Sequence, residues 1–539
     1  MLTKIKEFFK PKGLFTIIKF CFASILVALT YFTTKDVTYL SIGFLELALI
    51  FFVYNALVER KLIFRIIVGA IFFIFIAQIL VLYFGNSFVT LTMLKNVKFL
   101  ADLGGKAITY IIGTIFVLLI VFLPGKSVIT NLNKKVLIEI IIILSLTEIF
   151  THFEYKHYSP IQSFCTLVVD EVRYQHVKRA QVNPELAKET YYKDSLADAV
   201  SKPDNLPENP NVIVIFTEGL SYNIISDERD IMPNLKEFEK SCVSFKNYYN
   251  HTFPTLRGVQ GQLYSGYKLD DDKLGNNLIS VQDVLKNKGY FTAFINVEPY
   301  NHEFNEYCAN LGFDQVITDT RHVSGYNITM TDAEAYNFLF AYAKELDDAG
   351  DPFFLGAYTF GTHVSFDSPD LTYGDGSDSA LNKFYNLDAQ FGEFIKKFKS
   401  SGLADNTILV FTTDHSTYAD QDFTSAFPDY KRACTDVDQI PLFVYYNGIK
   451  PEEIDVKGRN SLCFAPTLLD YLDIDTENYF LGSSLFDADA TTDFDTIFYD
   501  ASYLITTEDS DVRYLSDLEV EEFLSQVLAY YSAVEAPRK

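Results

Sequence analysis

The sequence predicts an α-helical membrane region of about five spans, followed by an extracytoplasmic α/β domain whose mainly parallel sheet is sandwiched by helices. Two observations predict it. Before about residue 150, long apolar runs are separated by Lys and Arg; beyond it, short β-branched runs alternate with helical patterns in an acidic chain. With 539 residues, 49% of them hydrophobic, there is room for one large domain besides the membrane region. Residues 1–150 hold 15 Lys+Arg against 7 Asp+Glu, a net of +8, while the remainder holds 30 against 63, a net of −33. Clustered cations are what phosphate-backbone binding requires, so this balance argues against nucleic acid as a partner.

The apolar stretches run approximately over Leu14–Thr33, Thr38–Leu57, Leu62–Tyr83, Ala107–Leu123 and Val136–Phe150. Four approach the ~20 residues that cross a ~30 Å hydrocarbon core. The fifth is shorter and carries Glu139 and Glu148, and it is counted as a span on charge grounds. Lys4, Lys6, Lys10 and Lys12, then Arg60 and Lys61, then Lys126, Lys134 and Lys135 all belong on the cytoplasmic side by the positive-inside rule. Five spans then put everything after residue 150 outside; only the loop with Lys95, Lys98 and Lys106 votes the other way. No small-residue cleavage site follows the first span, which is read as an uncleaved anchor. Asn86–Lys106 reads equally as an interfacial helix or a surface loop.

Residues 1–150 are thus expected to form a transmembrane domain, 151–208 a linker with juxtamembrane helices, and 209–539 the catalytic domain. The stretch from Ser163 to Ala199 looks helical, and a breaker cluster spans Lys202 to Pro210. Predicted strands are Val212–Phe216, Phe291–Ile295, Phe353–Tyr358, Thr407–Thr412 and Leu442–Tyr446; predicted helices include Met232–Lys240, Val281–Lys288, Ala333–Glu345 and Leu381–Lys399. Continuous apolar strands alternating with helices imply a parallel sheet covered on both faces. Sites in such folds form at the carboxyl ends of strands. Glu218 and the pair Asp414-His415 fall there.

Hard carboxylate oxygens beside an imidazole suit Mn²⁺ or Zn²⁺. Alone, each is weak: a strand-end Glu is often solvated, and Asp often caps the turn after a strand. The candidate nucleophile is Thr255, which follows Pro254 at the start of a predicted helix ending near Gly266. A hydroxyl there sits at the positive end of the helix dipole, and a bound cation supplies the remaining acidification. A plain N-cap is the bland reading of Thr255, and Thr252 is a rival. Arg257 reads either as a phosphoryl ligand or as a surface cation.

Together these residues resemble the sulfatase/alkaline-phosphatase superfamily, and within it the lipoteichoic acid synthase-like branch of membrane phosphoglycerol transferases. The resemblance covers roughly Asn211 to Phe486. It includes the segments Ile440–Pro451, Ala465–Ile474 and Phe480–Phe486, and the five-span amino-terminal part fits as well. It implies one divalent ion, Mn²⁺ favoured with Zn²⁺ or Mg²⁺ as alternatives, held by Glu218, Thr255, Asp414 and His415. It further implies attack by Thr255 on a phospholipid donor, phosphatidylglycerol favoured, and transfer through a phosphothreonine to a cell-surface glycan or polymer. His363 matches the family's substrate-facing histidine, with a structural loop histidine as the alternative. The implied setting is a bacterial membrane, multi-pass, with the catalytic domain on the extracytoplasmic side.

The chain departs from that pattern at Asn296–Asn305, where the lipoteichoic acid enzymes carry a Trp and an Arg that grip glycerol-phosphate. There is no Trp in the chain and no Arg in this segment. Arg257 compensates, or Arg321-His322 substitutes, or the headgroup differs. Phosphoethanolamine transfer, and a non-catalytic membrane sensor keeping the fold, are therefore the competing readings. A formylglycine sulfatase is disfavoured because Thr stands where Cys or Ser would be converted, and a two-metal phosphatase needs more His and Asp ligands. Cys165, Cys242, Cys308, Cys434 and Cys463 fall on the predicted outer side, where disulfides persist; buried free thiols are the alternative.

Overall fold

The computed structural model describes residues 11–95, 105–178, 183–196, 198–267, 278–318, 329–364, 366–434, 437–490, 492, 494–500 and 503–535. These form two compact units. One contains residues 1–173 together with 419–430 and 500–502, and the other holds the remainder.

The first unit is helical: α1 (Pro11–Thr34), α2 (Val37–Leu57), α3 (Leu62–Gly85), α4 (Gly105–Phe122), α5 (Lys134–Tyr155) and, as far as Arg173, α6 (Pro160–Lys178). Asp36 starts α2 by accepting the Thr38 amide at 2.7 Å, as an N-cap should. Among the described residues, four helices are long and apolar enough to cross a membrane: Gly13–Thr34, Val37–Leu57, Leu62–Gly85 and Lys134–Phe153. The last covers the stretch that carries Glu139 and Glu148. In α4 the apolar helix within the described residues is the shorter Ile111–Phe122. Phe20, Val27, Leu47, Phe72, Phe75, Ile76 and Val121 form the shared interior, and Leu, Ile and Phe elsewhere on these helices are exposed, as on a lipid-facing surface.

Two buried charged groups in this unit have clear partners. Lys19 donates to the carbonyls of Val121 and Leu123, each at 2.6 Å, at the end of α4. Carbonyls at a helix carboxyl end have no partner within the helix, and a cation there complements the negative end of the dipole. Glu46, in α2, accepts from Ser159 Oγ and from the Ile161 amide at 3.1 Å, fastening the start of α6. Of Asn86–Lys106, Leu91–Lys95 is helical and 96–104 lie outside the described residues.

The second unit is built on eight strands: β1 (Asn211–Thr217), β2 (Val243–Lys246), β3 (Phe291–Ile295), β4 (Gln315–Ile317), β5 (Phe353–Thr359), β6 (Thr407–Thr413), β7 (Leu442–Tyr445) and β8 (Glu452–Asp455). Their order is β4-β3-β5-β1-β6-β7-β2-β8. The strands from β4 to β6 in that order are mutually parallel. β7 runs antiparallel to both β6 and β2, so the sheet is mainly, not wholly, parallel. A run of four buried residues carries no mark of its direction.

The main helices are α7 (Thr255–Tyr264), α8 (Val281–Asn287), α9 (Asp332–Ala349), α10 (Ser379–Ser400), α11 (Phe464–Tyr471) and α12 (Asp517–Glu535), and Pro233–Glu239 is also helical. Thr331 and Glu334 form a capping box that starts α9, and Gly350 ends it at φ 88°. The sheet is covered on both faces. Phe411 of β6 packs on Phe391 of α10, with ring centroids 5.1 Å apart, while Val410 and Val444 face Phe464 and Leu468 of α11. Burying each Phe contributes about 1.5–3 kcal/mol, so this double cover explains why β1, β5 and β6 read as unbroken apolar runs. A separate three-stranded sheet, Thr496–Asp500, Tyr503–Thr506 and Arg513–Tyr514, lies outside the main one. All six cysteines are free thiols; Cys242, Cys308, Cys434 and Cys463 are buried, and Cys21 and Cys165 are exposed.

Candidate active site

β1 and β6 are parallel neighbours, with Val212 opposite Ile408 and Thr217 opposite Thr413. The residues that follow each strand therefore emerge side by side at one sheet edge. Glu218, Asp414 and His415 are all at most 2% exposed, and each presents a ligand atom within 4.8 Å of the others.

Local hydrogen bonds decide which atoms face inward. Asp414 Oδ1 accepts the amides of Gly219 and His415 at 2.8 and 2.7 Å. Gly219 makes this approach from a left-handed turn at φ 46°, a conformation glycine adopts without cost. Its partner oxygen, Asp414 Oδ2, is buried without a hydrogen bond. His415 Nδ1 donates to the Ser416 carbonyl at 2.7 Å, which leaves the lone pair on Nε2. That Nε2 lies 3.5 Å from both Glu218 Oε1 and Asp414 Oδ2.

Burial pushes the Asp414 carboxyl up to about 7, and the adjacent Glu218 charge pushes it the same way. Burial also works against ionised Glu218, but the imidazoles of His415 and His363 and hydrogen bonds from Tyr358 and Thr255 outweigh it and hold its pKa below the usual range. Two buried carboxylates and an imidazole lone pair converge with too few protons to satisfy them. Such a set is stable when a cation sits among its acceptors. The donor set fits one divalent ion of the Mn²⁺ or Zn²⁺ type.

Thr255 opens α7, and its Oγ1 donates to Glu218 Oε2 at 2.9 Å. Thr252 points elsewhere: its buried hydroxyl donates to the Phe498 carbonyl at 2.6 Å. Two glycines let α7 come this close. A Cβ on Gly258 would stand 2.3 Å from the Asp414 carbonyl oxygen, and one on Gly261 would stand 1.9 Å from His251 Nε2. His251 is fully buried, with Nδ1 2.7 Å from Ser461 Oγ, and braces the segment leading into Thr255.

His363, partly exposed, follows β5. Its Nδ1 donates to the Val364 carbonyl at 2.8 Å, and its ring stacks on Phe360 with centroids 4.6 Å apart. Burial lowers its pKa, the nearby Lys383 and His415 charges add to that, and Glu218 opposes them. Arg257 is only 5% exposed, so the surface-cation reading does not hold for it. Arg321 and His322 lie outside the described residues.

Sequence reasoning missed three contributors. Tyr358, 1% exposed, donates its hydroxyl to Glu218 Oε2, and Thr362 Oγ1 donates to the Glu218 carbonyl. Lys383, on α10 and 6% exposed, brings its Nζ 3.4 Å from the His363 carbonyl. The segment Asn296–Asn305 follows β3 and is tied by its own side chains: Asn296 Oδ1 accepts the Glu298 amide at 2.8 Å, and Asn301 Nδ2 donates to Glu298 Oε2 at 3.0 Å.

Residues 210–474 match the Sulfatase family model. Over 310 residues the chain is 25% identical to lipoteichoic acid synthase 2 of Bacillus subtilis, covering 51% of this chain and 47% of that protein. Over 315 residues it is 23% identical to phosphoglycerol transferase I of Xanthomonas euvesicatoria, covering 53% and 44%. The chain thus spans about half the length of the curated relatives it matches. In fold it is similar to the integral membrane lipooligosaccharide phosphoethanolamine transferase A of Neisseria meningitidis, with a TM-score of 0.51 at 14% identity over 86% of this chain and 95% of that one. The strand-end cluster and Thr255 lie within the residues that match the Sulfatase model.

Proposed function

We propose that the chain is a membrane-bound, metal-dependent transferase that moves a phosphoglycerol group from phosphatidylglycerol, by way of Thr255, to a cell-surface glycan or polymer. The observation that carries this reading is the Thr255 hydroxyl, 2.9 Å from Glu218 Oε2 at the rim of the Glu218–Asp414–His415 cluster. The named activities of the two bacterial relatives support the choice of group. The distribution of Lys and Arg among the apolar helices supports a multi-pass bacterial membrane protein whose catalytic unit is extracytoplasmic.

Glu218, Asp414, His415 and Thr255 would hold one ion, Mn²⁺ by preference. Such an ion acidifies a bound hydroxyl and offsets charge on phosphoryl oxygens. Thr255 Oγ bonds to phosphorus while its proton passes along the existing hydrogen bond to Glu218 Oε2. The bond from phosphorus to the diacylglycerol oxygen breaks, and that oxygen takes a proton from solvent. The acceptor hydroxyl then attacks the phosphothreonine and gives its proton to Nε2 of His363, whose ring proton is on Nδ1; His363 passes it to solvent, and Thr255 recovers its own from Glu218. Lys383 beside His363, with the buried Arg257 of α7, supplies positive charge for the phosphoryl oxygens.

Phosphoethanolamine transfer is the second reading, favoured by Glu298. This carboxylate, 7% exposed, lies in the segment where the lipoteichoic acid enzymes carry a cation, and its charge acts on the Tyr358 phenol. The test is incubation of the purified protein with Mn²⁺ and either headgroup-labelled phosphatidylglycerol or phosphatidylethanolamine, followed by mass spectrometry of the Thr255 peptide. A glycerol-phosphate adduct that disappears in Thr255→Ala and persists in Thr252→Ala is the expected result. An ethanolamine adduct selects the second reading, and label from neither lipid ends both.

A further inference from the structure

We infer that Tyr358 is a positioning residue that fixes which oxygen of Glu218 faces the cluster, and that the exit of β5 thereby joins the cluster to His363. This rests on the metal-dependent reading above. β5 lies beside β1 with Phe216 opposite Tyr358 and Thr217 opposite Thr359, so the end of β5 runs directly past Glu218. Three of its residues take hold there. Tyr358 donates its hydroxyl to Glu218 Oε2, the Thr359 carbonyl accepts the Glu218 amide at 3.1 Å, and Thr362 Oγ1 donates to the Glu218 carbonyl.

The carboxylate itself is held asymmetrically. Oε2 accepts from Tyr358 and also from Thr255 Oγ1 at 2.9 Å, which occupies both of its lone-pair directions. Oε1 is the oxygen left to turn toward His415 Nε2, at 3.5 Å. A Glu218 without this clamp rotates about its last side-chain torsion, which is broad and nearly two-fold, and presents either oxygen. With the clamp, one oxygen serves the nucleophile and the other serves the cation. The residue after Thr362 is His363, so one stretch of six residues sets the carboxylate, the adjoining backbone and the proton-handling imidazole together.

Packing is the competing account of Tyr358, because its ring also lies 5.4 Å from Phe304 and 6.2 Å from Phe360. Tyr358→Phe separates the two accounts, since it keeps the ring and removes the donor. The measurement is calorimetric titration of Mn²⁺ alone into the full chain in detergent, wild type against Tyr358→Phe, with Asp414→Asn as the non-binding control. Loss of a group that orients a metal ligand costs about ten- to a hundredfold in metal affinity, and that weakening is expected with the metal-free unfolding midpoint unchanged. Affinity within about twofold of wild type, or tighter, overturns the positioning role while the metal-dependent reading stands. A wild-type protein that takes up no ion overturns both.

Discussion

Thr217 on β1 and Thr413 on β6 are register partners in a parallel pair, and each is the last strand residue before a carboxylate of the cluster. A slip of one residue would move one carboxylate about 3.3 Å along the sheet and turn its neighbours to the other face. The register is held along the whole pair because every residue of both strands is buried. The site's geometry is therefore a consequence of the core, and changes that leave its polar groups intact can still dismantle it.

Gly258→Ala is such a change. The added methyl would lie 2.3 Å from the Asp414 carbonyl oxygen, a backbone atom of the sheet edge that cannot swing aside. Overpacking of this kind costs about 1–3 kcal/mol, and because the strain separates α7 from β6 it also moves Thr255 away from Glu218. Adduct formation on Thr255 is expected to fall at least about tenfold, given that 1.4 kcal/mol is already a factor of ten. Denaturant unfolding and timed adduct mass spectrometry check both effects, and a variant with wild-type kinetics would contradict the close approach.

What was legible beforehand follows from which residues announce themselves locally. Glu218 and Asp414-His415 stand at the ends of apolar runs, and Thr255 at the start of a helix, so one-dimensional pattern located them. Tyr358 belongs to the site only because β5 is inserted between β3 and β1, and strand order is not written in any single strand. Lys383 reads as an ordinary charge on an amphipathic helix until α10 is laid beside His363. The β7 strand is legible but its direction is not, because four apolar residues look alike from either end. Arg257 reads as equally suited to the surface until α7 is packed in place, where it is 5% exposed.

Ion binding should reveal itself as stability. Asp414 Oδ2 is a buried acceptor without a hydrogen bond, which destabilises the metal-free protein. A ligand bound only by the native state adds about 2.7 kcal/mol at a hundred times its Kd, so Mn²⁺ is expected to raise the unfolding temperature of the full chain. Asp414→Asn should abolish that increment, and the variant without metal should be at least as stable as metal-free wild type, because a buried charge has been removed. Thermal melts with and without the ion measure both; a metal-free variant much less stable than wild type would count against the electrostatic account.

Lys383→Met keeps the length of the side chain and removes its charge. The charge lies beside His363, where the proposed reaction places the phosphoryl oxygens, and a hydrogen bond to a charged group contributes about 1.5–3 kcal/mol. The KM for the labelled lipid should rise about tenfold or more with kcat much less affected, and Lys383→Arg should recover part of it. Steady-state kinetics over a range of lipid mole fractions check this, and an unchanged KM would remove Lys383 from substrate binding.

Acid sensitivity traces to His251. It is fully buried, its Nδ1 is 2.7 Å from Ser461 Oγ, its Nε2 faces Gly261, and burial depresses its pKa from 6.5 to about 3. The unfolded chain therefore binds a proton that the folded chain refuses between pH 6.5 and 3. Stability associated with neutral His251 is fully present above pH 6.5 and is lost as pH falls through that window, by up to about 1.4 kcal/mol per pH unit for a single proton. His251→Asn retains a group able to meet Ser461 and cannot titrate. It should start less stable at pH 7.5, because a cavity replaces the ring, but its stability should fall less steeply between pH 6.5 and 4.5. Chemical unfolding at several pH values measures the slopes, and because the assignment concerns one residue, parallel slopes for the two proteins would show that the acid-sensitive proton binds elsewhere.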